Sequence, residues 1–254
     1  MKPREKPKVK PRVKPKVRAF IPFKKEGAKS RLGGFLSETE REELATRMLK
    51  DVLVALSESA VEEAEIISTS PPEPGQLELN LNLTVRPDGR GLNEVLNEVL
   101  NEVREPEEPV LIIMADLPLT TSKSINRLVG HSEEVVVAPG RNGGTNALFL
   151  RRPREFAVSY YGISCLKHLE TARRRGLSYA VHDSFFLSAD IDEVEDLAEL
   201  LIHDNGRSRG RGRGRGRKRG LLSAEYLREI GVFVRVEKEE KERVSVGRER
   251  EKNE

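Results

Sequence analysis

The chain is nearly devoid of sulfur chemistry. Of its 254 residues only Cys165 is a cysteine. An intrachain disulfide and a cysteine-built zinc site are therefore excluded, and such usage suits a reducing compartment. No apolar run is long enough to cross a bilayer, and the first residues lack the apolar stretch of a secretory signal. A cytoplasmic protein with no membrane partner is expected. There is no Gly-x-x-x-x-Gly-Lys-Ser/Thr stretch, which disfavours a P-loop nucleotidase. No Ser-His-Asp pattern is visible, and His131, His168, His182 and His203 lack metal-ligand spacing. Glutamine is reduced to Gln76, while 34% of residues are charged, a leaning found in heat-adapted proteins.

Charge is unevenly placed. Residues 1–17 carry eight Lys/Arg against one Glu, or +7, and residues 206–220 carry seven Arg and one Lys, or +8. Taking both from the net +3 leaves −12 for the rest. The body is acidic, and the basic balance belongs to two appendages. Residues 2–17 repeat a four-residue Lys-Pro unit. Proline at that spacing excludes a packed helix, so an extended solvated tail is expected. Neither tract contains an aromatic residue. They can neutralise nucleic-acid phosphates, but the stacking half of single-strand binding is missing. A solvated insertion is favoured, with pairing to the acidic body, in this chain or in a homodimer partner, as a further alternative.

The length allows one large domain with appendages. The boundaries expected are a basic tail at 1–17, a domain at 18–236 carrying the Arg-Gly insertion 206–220, and a charged tail at 237–254. That last segment mixes both signs with few apolar residues, so no fixed structure is expected of it. Within the domain, strands are expected over 18–23, 64–69, 77–85, 110–115, 134–138, 146–150 and 178–187, with a closing edge strand at 232–236. Ser37-Glu38-Thr39-Glu40 is a capping box, and Leu44, Met48, Val52 and Leu56 give its helix an apolar stripe. Further helices are expected over 92–103, 122–129, 163–175, 191–203 and 223–230. Such alternation makes an α/β fold, a mixed, mainly parallel sheet with helices on both faces.

Chemistry-bearing residues gather at the expected strand ends. Asp116 stands just past the apolar run Val110-Leu111-Ile112-Ile113-Met114, and Pro118 stops the ladder. Ligands collect at such carboxyl ends. Asp190-Ile191-Asp192 follows another expected strand. Asp116, Asp190 and Asp192 are hard oxygen donors suited to Mg²⁺ bridging phosphates. The alternative is that Asp116 caps its turn and Asp190 or Asp192 caps the next helix. Lys24, Lys25, Lys29 and Arg31 fill the loop after the first strand, where basic groups hold a triphosphate or simply face solvent. Gly143-Gly144-Thr145-Asn146 and Tyr161-Gly162-Ile163-Ser164 are either tight turns or turns whose N–H groups approach an anion. Ser164 falls near a helix N-terminus, with His168 four residues along.

In order, four segments resemble the 2-phospho-L-lactate guanylyltransferase family of coenzyme F420 biosynthesis, over about residues 18–236. They are Ile21-Pro22-Phe23-Lys24 through Ala28-Lys29-Ser30-Arg31-Leu32; Ala115-Asp116-Leu117-Pro118-Leu119; Gly143-Gly144-Thr145-Asn146-Ala147-Leu148; and Tyr161-Gly162 through Ser164 and His168, with Asp190-Ile191-Asp192. The resemblance implies a single Rossmann-like nucleotidyltransferase domain that joins GTP to 2-phospho-L-lactate, or to phosphoenolpyruvate as in bacterial relatives, and releases pyrophosphate. It implies Mg²⁺ ligands at Asp116, Asp190 and Asp192, and acceptor contacts at Thr145, Gly162 and Ser164. It also implies catalytic triphosphate contacts at Lys24, Lys29 and Arg31. Cys165 departs from the aromatic residue common after this serine. The residues agree independently. An acceptor phosphate with a second pKa of about 6 is already largely dianionic, so no general base is needed, and none is evident. The competing enzyme reading is a sugar- or molybdopterin-type nucleotidyltransferase, whose first loop is glycine-rich where residues 24–31 hold only Gly27.

Overall fold

A computed structural model describes residues 16–70, 79–105, 108–208, 220–237 and 243–249. The Lys-Pro repeat up to residue 15, residues 71–78 with Leu77, most of the Arg-Gly tract and residues 250–254 lie outside the described residues.

Strands buried on both faces build the centre of the main sheet. Its strands are β1 (Val17–Phe23), β2 (Val61–Ser68), β3 (Asn82–Pro87), β4 (Val110–Ile113), β5 (Val135–Pro139), β6 (Thr145–Leu150) and β7 (Tyr179–Val181). They lie in the order β3-β2-β1-β4-β6-β5-β7. All pairings are parallel except those of β6, which runs against β4 and β5. Successive side chains point to opposite faces. Ala19, Ile21, Leu111, Ile113, Ala147 and Phe149 therefore pack on one side, and Phe20, Val110, Ile112, Leu148 and Leu150 on the other. The first side is covered by α1 (Glu38–Ser57), α3 (Ser122–Val129), α6 (Val194–Ser208) and α7 (Leu222–Glu229), the second by α2 (Leu92–Glu102) and α4 (Ser164–Arg174). This is the expected mixed, mainly parallel α/β sheet between helices.

Helix ends follow their capping chemistry. Ser37 and Glu40 form the expected capping box on α1, and Thr121 with Ser124 forms another on α3. The start of α7 is capped from elsewhere. Buried Asp51, on α1, accepts from the N–H groups of Leu222 and Ser223 at 2.8 and 3.0 Å. In α2 the Leu-Asn-Glu-Val repeat buries Val95, Leu96, Val99 and Leu100. Its asparagines are also used: Asn97 and Asn93 accept from the N–H groups of Val158 and Tyr160 at 2.8 and 2.6 Å.

Three expectations are corrected. The strand expected over 178–187 ends at Val181, and residues 185–188 form a short helix, α5 (Phe185–Ser188). The polar run His182-Asp183-Ser184 breaks the ladder, and Leu187 turns inward to full burial. The strand after α7, β8 (Val232–Glu237), is not an edge of the main sheet. It pairs with β9 (Arg243–Arg248) in a separate two-stranded antiparallel sheet. That strand falls in the segment expected to lack fixed structure. Val246 packs against the core, and Arg248 donates to the Phe35 carbonyl at 3.1 Å and pairs with Glu40.

Candidate active site

Topology places the site. The chain leaves β1 toward β2 and β3, and leaves β4 in the other direction, so a crevice opens beyond the carboxyl ends of β1 and β4. A cavity of about 220 Å³ lies there, lined by Pro22, Phe23, Lys24, Lys29, Met114 and Asp116 among others. Because β6 is antiparallel, its first residues, Thr145 and Asn146, come to this same edge.

Lys29 is the hub of the polar part. Its Nζ lies 2.7 Å from Asp116 Oδ2 and 2.6 Å from Asp192 Oδ1. Burial opposes its charge, but the two carboxylates outweigh that and hold the ammonium above its ordinary value. Lys29 sits at φ 52°, the one non-glycine residue with positive φ among those described. Arg31 approaches Asp192 and Glu193 at 3.6 and 3.7 Å from an exposed position. Lys24 lines the cavity, exposed, with no ion pair among the described residues. The loops after β4 and before α6 are tied directly, Ile191 N–H donating to the Asp116 carbonyl at 3.1 Å.

Asp190 has a different environment. Asn146 Nδ2 donates to its Oδ1 at 3.1 Å and to the Leu187 carbonyl at 3.0 Å. Burial pushes the Asp190 carboxyl up, Asn146 opposes this, and the charges of Asp116 and Asp192 add to the rise. Gly140 is required beside it, since a Cβ there would stand 2.5 Å from Asn146 Oδ1. Neither Asp190 nor Asp192 caps α6. Asp196 does so, its Oδ2 accepting from the N–H groups of Asp192 and Glu193 at 2.8 Å each. Arg141 clamps this segment, donating to the Asp190 carbonyl at 2.9 Å and to Asp196 Oδ1 at 2.6 Å.

The second half of the site lies on the opposite face of β6. Thr145 Oγ1 is 2.9 Å from His168 Nδ1 and 3.2 Å from Ser164 Oγ, and all three residues are buried. Gly162 (φ 58°) and Gly143 (φ 78°) shape the adjoining turns. The first amides of α4 are not free for an anion: Ser164 N–H is taken by the Gly162 carbonyl and Cys165 N–H by that of Gly143. Instead the ammonium of Lys167 lies 3.9 Å from where a Cβ at Gly162 would stand. Tyr160 packs edge-on against His168 at 4.9 Å, and its hydroxyl is buried without a partner among the described residues.

The structure thus gathers the sequence-expected residues into two linked groups, Lys24, Lys29, Arg31, Asp116, Asp190 and Asp192 in one, Thr145, Gly162 and Ser164 in the other. Among the described residues no group of three or more His, Cys, Asp or Glu side chains is poised to hold a metal ion. Arg141, Asp196 and Lys167 were missed by sequence reasoning, which had no local pattern to find them.

Residues 17–249 match the family described as "Guanylyl transferase CofC like". The chain belongs to that family. It is 45% identical over 192 residues to the 2-phospho-L-lactate guanylyltransferase of Methanosarcina mazei, covering 76% of this chain and 89% of the relative. It is 39% identical over 230 residues to that of Methanoculleus marisnigri, covering 91% and 95%. Among solved structures, a proposed nucleotide-diphospho-sugar transferase from Desulfovibrio desulfuricans G20 superposes with a TM-score of 0.61 at 16% identity, covering 84% of this chain and 94% of that one. That likeness concerns the fold. Among the described residues no helix is long and apolar enough to cross a membrane.

Proposed function

We propose that this member of the family transfers the guanylyl group of GTP to the phosphate of 2-phospho-L-lactate. An acceptor phosphate oxygen bonds to the α-phosphorus while the bond from that phosphorus to the bridging oxygen breaks. Pyrophosphate leaves with the electron pair, and lactyl-2-diphospho-5′-guanosine forms. The family match and the names of its relatives support the substrates. The observation that carries the reading is Lys29 held between Asp116 and Asp192 at the crevice between β1 and β4.

The difficulty in this reaction is electrostatic, since a dianion must approach a polyanion. Lys24, with no carboxylate partner among the described residues, and Arg31, loosely paired and exposed, are placed to meet the triphosphate. The donor set fits Mg²⁺. Asp116 and Asp192 already share one cation, Lys29, and this ion is commonly held by one or two carboxylates with substrate phosphates. Asp116 and Asp192 would hold it, and Asp190 would sit behind them on Asn146. When bound, the ion supplies charge stabilisation on the phosphoryl oxygens. Thr145, Ser164 and Gly162 would hold the acceptor across β6, with Lys167 beside them.

The test is turnover of 2-phospho-L-lactate and phosphoenolpyruvate with each of GTP, ATP, CTP and UTP, with and without Mg²⁺. Pyrophosphate release is expected with GTP and 2-phospho-L-lactate, dependent on the metal. Preference for phosphoenolpyruvate would reassign the acceptor. Preference for another nucleotide would overturn the guanylyl assignment.

A further inference from the structure

Hydrogen-bond directions in the buried cluster can be assigned by elimination. A backbone N–H only donates, and that of Ser159 meets His168 Nε2 at 3.0 Å. Nε2 therefore carries the lone pair, and the single proton of the neutral ring sits on Nδ1. Nδ1–H then donates to Thr145 Oγ1 at 2.9 Å. Thr145 and Ser164 have two hydroxyl protons between them, and only one is used in their mutual bond at 3.2 Å. Whichever way that bond points, one hydroxyl proton has no acceptor among the described residues. With the other tautomer the count reverses. Thr145 would donate to Nδ1, Ser164 would donate to Thr145, and the pair would face an anion with lone pairs alone.

We propose that His168 is a positioning residue. By keeping its proton on Nδ1 it turns the Thr145–Ser164 pair into a hydrogen-bond donor for the anionic acceptor. The inference rests on the nucleotidyl-transfer reading and adds a residue to it. The surroundings favour this one state. His168 is fully buried, with Tyr160 and Phe156 packed on its ring. Burial, with the charge of Lys167 adding, pulls the imidazole down to about 4, so the ring is neutral wherever the acceptor phosphate is a dianion. The Ser164 and Cys165 amides are already occupied, so within the Thr145–Ser164–His168 cluster the hydroxyl proton is the donor on offer.

Two measurements test this. In two-bond ¹H–¹⁵N spectra of the full chain labelled with ¹⁵N-histidine, His168 is expected as the Nδ1–H tautomer at pH 7, its signal identified by its loss in His168→Phe. In steady-state kinetics His168→Phe is expected to raise the acceptor KM roughly tenfold or more, the loss of one hydrogen bond to a charged group, while the GTP KM stays within about twofold. His168→Asn, whose amide can donate where Nδ1 did, should recover part of the acceptor affinity. An Nε2–H or doubly protonated ring overturns the proposal, as does an equal change, or none, in both KM values. If His168→Phe does not fold, the wild-type tautomer and His168→Asn still decide it. Wild-type protein that turns over neither acceptor would sink the guanylyl-transfer reading, and the spectrum would still report where the His168 proton sits.

Discussion

At the scale of single residues, Asp116 and Lys29 offset each other's opposite charge, so removing either leaves the other less compensated. Asp116→Asn is expected to lower kcat/KM by about 10²-fold or more with the fold intact by circular dichroism. Near-normal turnover at saturating Mg²⁺ would remove Asp116 from the site. Tyr160 tests the opposite case, a polar atom with no visible partner. Tyr160→Phe deletes a buried unsatisfied hydroxyl and should stabilise the fold by on the order of 1 kcal/mol in urea unfolding. Asp116 beyond β4 was legible because strand and turn patterning is local, whereas Asp190 and Asp192, expected after a strand, follow the short helix α5 instead. Arg141 and Asp196 were not legible. Arg141 reaches its partners across 49 and 55 residues of chain, and nothing near it in sequence marks that reach. The expected helix-capping role of Asp190 or Asp192 failed for a related reason. Asp196, inside the first turn of α6, bends back to the N–H groups of Asp192 and Glu193 just ahead of the helix.

At the scale of elements, the sequence was most legible where side chains cap their own helix. The Ser37–Glu40 box is reciprocal, Ser37 N–H donating to Glu40 at 2.8 Å and Glu40 N–H to Ser37 at 3.3 Å. Ser37→Ala should cost about 1 kcal/mol in chemical denaturation. The β1, β4 and β6 strands were also legible, since burial on both faces leaves nearly continuous apolar runs. The β7–α5 segment was not. Its apolar residues Tyr179, Val181, Phe185 and Phe186 remain partly exposed, and an edge strand that gives way to a helix has no distinctive period. The antiparallel sense of β6 against β5 follows from their short connection, since parallel neighbours need a long crossover; its pairing with β4 on the other side was hidden, because pairing in space decides that.

At the scale of the whole molecule, His168 couples stability to pH. Its folded value of about 4 lies below the ordinary 6.5. The unfolded chain therefore binds more protons between those limits. Stability is complete above about pH 6.5 and falls as pH drops toward 4, by on the order of 3 kcal/mol in total. Urea titrations across that window should show the slope, and His168→Phe should flatten it. The Arg-Gly tract offers a second test. Asp204, fully buried, accepts from Leu221 N–H at 2.7 Å and from Arg228 at 2.8 Å, so the chain on either side of residues 209–219 is pinned by its own contacts. Replacing those residues with a short Gly-Ser linker should leave turnover unchanged, and a loss would give the tract a part in the reaction. The reversed strand β6 has one more consequence. Thr145 and Asn146 are consecutive, yet one bonds to His168 in the cluster proposed for the acceptor and the other braces the Asp190 carboxylate. Their separation is a single peptide unit, so on the proposed function β6 is a ruler between the two reactants. A one-residue slip would put each side chain on the other's face of the sheet and exchange the two duties.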